Sequence, residues 1–158
     1  MIRQTSRERR QPRTTGQALV EFSLVLLPFV VILMGIIDLG RGIYMSDGVT
    51  QAAREIARTT AVHLCALPAS CVIGSSTETQ ATIATQKNLI PGLSSPTANV
   101  AIACTTVKDV VVTTPCGADS KVTHYIRVTV KVPFSVLTPV LSMVAPSTLQ
   151  ATAHIEVP

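Results

Sequence analysis

Gly16 and Glu21 stand five positions apart at the mouth of a long apolar run, and their types point to one piece of chemistry. A glycine lets a protease approach a backbone that carries no Cβ. A cut after Gly16 would leave Gln17 with a free α-ammonium. A carboxylate at a membrane helix centre costs about 2.5–3.5 kcal/mol on insertion scales, so Glu21 needs a partner. The new amine of Gln17 on a neighbouring copy is the obvious one. In low dielectric such a pair would set axial register as well as attract. The competing reading is a solitary glutamate near a helix start, stabilised by the helix macrodipole and interfacial water.

The elements around this pair decide whether it meets lipid. Five of the thirteen basic residues (Arg3, Arg7, Arg9, Arg10 and Arg13) and one of the nine acidic residues (Glu8) precede Gly16, which leaves eight of each sign beyond it. The basic excess therefore belongs to the leader, residues 1–16. No aromatic residue interleaves with these arginines and no basic patch follows, which argues against nucleic acid. Beside an apolar run, the positive-inside rule places this end in the cytoplasm. Residues 22–37 carry no charge, and counting back to residue 18 gives a stretch interrupted only by Glu21. A bilayer core of about 30 Å needs about 20 helical residues, so residues 17–38 can span it. A removed secretory signal would end in small residues at a cleavage site; Asp38-Leu39-Gly40-Arg41-Gly42 fits that poorly. Pro28 lacks an amide hydrogen and leaves the carbonyl of Leu24 without its helical partner, predicting a kink or local loosening.

The helix is expected to continue into water as a stalk over residues 39–64. Met45, Val49, Ala52, Ala53, Ile56, Thr60 and His63 fall on one face at helical spacing. That stripe is expected to pack on the chain's own downstream domain. Gly40 and Gly42 mark where the rod could bend. Residues 65–158 then read as a small extracytoplasmic α+β domain. Thr77-Glu78-Thr79-Gln80 offers a capping box for a short helix to Asn88, before a Pro91-Gly92 turn. Residues 100–106, 110–114, 122–132 and 148–157 are strand candidates, and residues 133–145 a short apolar helix or turn. The fold class is thus α+β: a long N-terminal transmembrane and stalk helix followed by a small antiparallel β-sheet domain.

Cys65, Cys71, Cys104 and Cys116 lie beyond the apolar segment, on the side where disulfides persist if the arginines are cytoplasmic. Three connectivities are possible, and the nearest-neighbour pairing Cys65–Cys71 with Cys104–Cys116 is favoured. No C-x-x-C and no ligand pair at zinc spacing occurs, so no metal or cofactor is expected. His63, His124 and His154 read as surface or helix-end residues. With no phosphate-cradling glycine loop, an enzyme is not expected.

The arginine leader, Gly16, Glu21, Phe22 and the apolar helix together resemble the class III signal of type IV prepilins. More closely, Gly16-Gln17-Ala18-Leu19-Val20-Glu21-Phe22, the Leu27-Pro28 step, Gly35-Ile36-Ile37-Asp38-Leu39-Gly40-Arg41 and Ala52-Ala53-Arg54-Glu55-Ile56-Ala57-Arg58 resemble the TadE-like family of pseudopilins. The resemblance covers residues 16–61; beyond it only the coarse plan is shared. It implies a type IV pilin-like fold and a minor pilin or pseudopilin of a tight-adherence (Flp-type) pilus machine in the bacterial cytoplasmic (inner) membrane. It also implies cleavage by a prepilin peptidase after Gly16, with Gln17 as the new terminus and Glu21, beside Phe22, as the assembly carboxylate. The expected partners are that peptidase, other pilins and pseudopilins, pilus assembly membrane proteins and the lipid bilayer. The alternative is an uncleaved single-pass membrane protein whose disulfide-containing external domain binds a partner.

Overall fold

The computed structural model describes residues 15–64, 72–95, 98–106, 109–112, 116, 123–138, 141–143 and 145–157. The arginines of the leader, Cys65 and Cys71 lie outside the described residues. The first element is one helix, α1, Thr15–Val62, which runs through Pro28 and through both Gly40 and Gly42. The helix continues as the expected stalk, and the glycine pair, where it could bend, does not interrupt it. One reason is packing: a Cβ on Gly42 would meet Cζ of Phe134 at 3.4 Å, so the glycine admits a ring that braces the helix there.

A second helix, α2, spans Thr77–Leu89. Its cap lies one residue earlier than the capping-box reading placed it. Ser76 is the N-cap, and its hydroxyl accepts from the Thr79 amide at 3.3 Å. Gln80, expected to reach back to the cap, instead donates its side-chain amide to the Gly74 carbonyl at 2.7 Å. The Pro91-Gly92 turn that follows holds Gly92 at φ +85°, a left-handed conformation that suits glycine, with Val132 only 2.9 Å from where a Cβ would sit.

Three strands form an antiparallel sheet in the order β1 (Asn99–Thr106), β2 (His124–Pro133), β3 (Thr148–Glu156). The register pairs Cys104 with Ile126 and Val128 with Ala153. The central strand shows the alternation its sequence carries: His124, Ile126, Val128, Val130 and Val132 are buried, while Tyr125, Arg127, Thr129 and Lys131 are not. The strand expected over residues 110–114 reduces, among the described residues, to a single bridge between Thr105 and Val111. Asp109 turns the chain there with φ +61°, which ends regular pairing.

The core lies between the sheet and the second half of α1. Met45, Val49, Ala52, Ala53, Ile56, Ala57 and Ala61 are buried against Ile126, Val128, Val130 and Val132. The stripe expected from helical spacing is therefore the packing face, except that His63 is exposed beyond the helix end. Small side chains at four of these positions let the helix axis approach the sheet closely. Threonines bridge the two helices: Thr79 donates to Thr60 at 3.4 Å, and Thr82 to Thr59 at 3.4 Å. Between β2 and β3, residues 134–147 include a 3-10 turn at Leu141–Met143. This matches the short apolar helix or turn expected there.

Candidate functional site

The first half of α1 contrasts with the second. No side chain from Gln17 to Ile37 is buried, and Leu19, Val20, Phe22, Leu24, Val25 and Leu27 are among its open apolar residues. The helix is long and apolar enough to cross a membrane, and none of its most apolar stretch is covered by the rest of the chain. An apolar helix left bare is what a bilayer accepts, because its backbone groups are satisfied within the helix, the Leu24 carbonyl opposite Pro28 excepted. Among the described residues this is the one helix of that kind, and it anchors the chain in the membrane.

The sequence-predicted residues fall on this bare segment. Gly16 lies in the first turn of α1, and nothing stands within 4 Å of the point where a Cβ would be. Gln17 and Glu21 are both exposed and four residues apart, so they share one helix face about one turn from each other. Among the described residues Glu21 has no ion pair and no hydrogen-bonding partner for its side chain. Phe22, beside it, is also exposed. Pro28 sits inside the helix, with helical residues on both sides.

The cysteine expectation divides. Cys104 and Cys116 form a disulfide with a Cα–Cα distance of 5.8 Å, tying the end of β1 to the loop that follows. Cys104 is buried. The Cys65–Cys71 pairing lies outside the described residues. The histidines do not share one environment. His154 is exposed, with Nδ1 4.0 Å from the Asp109 carboxylate, which also receives Arg127 at 2.9 Å. His124 is 5% exposed and so is not the surface residue expected. It opens β2 on the inward-facing phase of the strand, a position its spacing from Ile126 and Val128 already encoded.

One residue of consequence was missed. Asp38, the first charge after the apolar run, is only 2% exposed. Its carboxylate accepts from the Leu137 amide at 3.0 and 3.1 Å, the Thr138 amide at 2.8 Å and the Thr138 hydroxyl at 2.7 Å. Arg41, one turn on, stands 3.6 Å away. The lone acid thus fastens the β2–β3 connection to the point where the helix leaves its apolar stretch. The only sequence signal was a solitary carboxylate at the end of an uncharged run; the partners, two backbone amides and one hydroxyl, are about a hundred residues away.

No curated protein and no solved structure matches this chain. A family model does, and the stretch that it covers ends before α2 and the sheet. Residues 16–58, from the bare glycine to the packed Ala-Arg-Glu stretch, match the model described as TadE-like protein, so this helix is similar to that family.

Proposed function

We propose that this chain is a pseudopilin-like structural component of a tight-adherence (Flp-type) pilus or a related secretion machine. In this reading a prepilin peptidase cuts after Gly16 and removes the arginine leader at the cytoplasmic face. The apolar half of α1 stays in the inner membrane, and the α+β domain stands outside. Copies then associate through their N-terminal helices, where the Glu21 carboxylate of one meets the new Gln17 ammonium of another.

The observation that carries the reading is the bare first half of α1 joined to a TadE-like match over residues 16–58. A helix that buries its second half in its own domain but leaves its first half open has a surface for lipid and for other such helices. The exposed Gly16 and the unpaired Glu21 on that surface support processing and pairing. The Cys104–Cys116 disulfide supports an external domain, since such bonds persist in oxidising compartments. A pilus-associated structural role calls for no catalytic residues.

The test is mass spectrometry of the mature N-terminus in cells with and without the peptidase. The expected terminus is Gln17 with the enzyme and the full leader without it. Gly16→Trp should accumulate uncut precursor in the membrane. Glu21→Ala should be cut normally yet lose association with pilus components. A native protein that still begins at Met1 or Ile2 would instead favour the uncleaved, partner-binding ectodomain.

A further inference from the structure

The β2–β3 connection hangs from the membrane end of the sheet. β2 runs down to Pro133, which pairs with Thr148 at the start of β3, so residues 134–147 form the loop between them. Ten of these fourteen residues are apolar, counting two prolines, and the other four are serine or threonine. No Asp, Glu, Lys or Arg occurs between Lys131 and Glu156, the longest charge-free stretch outside the apolar helix. Two of its large apolar side chains are open: Leu137 at 67% and Met143 at 90%.

Its depth is fixed by contacts already described. Leu137 and Thr138 are bonded to Asp38, at the end of the apolar run. Val136, Ala145 and Pro146 line one groove that runs along α1 from Ile32 to Asp47, its lower end formed by Ile32, Gly35 and Ile36. Ile32 lies six residues before Asp38, about 9 Å lower along the axis at 1.5 Å per residue. A hydrocarbon core of about 20 helical residues counted from Gln17 reaches Ile36. The loop and the last turns of the span therefore occupy the same level. The next charges above it on the helix and on β2 are Arg41 and Lys131.

We propose that the described residues of this connection, 134–138, 141–143 and 145–147, are a second membrane contact: they dip into the outer leaflet beside the helix, with Leu137 and Met143 in lipid and Asp38 holding them there. This inference rests on the membrane-anchored reading of α1. The partner is the lipid surface itself. The domain is then seated on the bilayer at two points and cannot swing freely about its stalk.

The chain has no tryptophan, so a single introduced one reports alone. Leu137→Trp and Met143→Trp replace exposed side chains, as do Val25→Trp in the span and Val62→Trp far above it. Each full-length variant is placed in phosphatidylcholine–phosphatidylglycerol vesicles whose acyl chains are brominated either near the carbonyl end or near the methyl end. Residues 5–10 Å into the interface should lose about half of their emission to the shallow bromines and less to the deep ones. That is the result expected for Leu137→Trp and Met143→Trp. Val25→Trp should be quenched and Val62→Trp should not. If Val25→Trp is quenched while both loop reporters match Val62→Trp, the loop stands clear of lipid; the proposal fails and the anchor survives. Loop emission that is blue-shifted but unquenched would mean that protein, such as a second copy, covers the loop, which also overturns it. If Val25→Trp itself is unquenched, the anchored reading falls and takes the proposal with it.

Discussion

Two backbone amides and a hydroxyl converge on the Asp38 carboxylate, and they come from the far end of the chain. Backbone donors in a buried position must be satisfied, and here a side chain does what a sheet neighbour would otherwise do. Asp38→Ala removes the acceptor and leaves the amides of Leu137 and Thr138 unpaired. Their hydrogen exchange should accelerate on the order of ten-fold or more, while amides of β2 keep their protection. Asp38→Asn retains one carbonyl acceptor and should show a smaller rise. Equal exchange in all three proteins would mean that Asp38 does not hold the loop. Glu21 is the opposite case among the acids: it lies exposed on α1, where nothing in its own fold occupies it.

Helix α1 is one element with two surfaces. Its first half is apolar all round and bare; its second half carries a single buried stripe in which Ala52, Ala53, Ala57 and Ala61 press on the sheet. Small residues there set the distance between helix and strands, so the packing has no room for added carbons. Ala57→Leu should destabilise the domain by about 1–3 kcal/mol, read from urea unfolding of the micelle-solubilised protein. A substitution without effect would show that the interface can reopen without loss. On the same face of the sheet, at its β1 edge, Cys104–Cys116 closes a loop with a sequence separation of 12. A closed loop of that size contributes roughly 3 kcal/mol in the chain-entropy model.

As a whole the molecule is a rod half clothed by its own domain. The bare half is free for lipid and for helices of other copies, which is the geometry that the proposed pilus role requires. The proposed orientation has a direct check: a phosphatase that folds only outside the cytoplasm, fused after the last residue, should be active in intact cells. A cytoplasm-dependent reporter at the same place should stay dark. The reverse pattern would invert the topology and with it the cytoplasmic cleavage of the leader.

The helix, its apolar half and the TadE-like character of residues 16–58 were legible in the sequence because they depend on local properties: hydropathy, a 3.6-residue period and contiguous motif residues. The alternation of β2 was legible for the same reason. Two features were not. The Ser76 cap was decided by which hydroxyl the fold left beside the Thr79 amide. The role of Asp38 depended on two amides about a hundred residues away, and backbone donors leave no mark in a sequence. Local chemistry settled the kind of helix this chain has and which face of it is covered; only the folded domain settled where that domain is tied down.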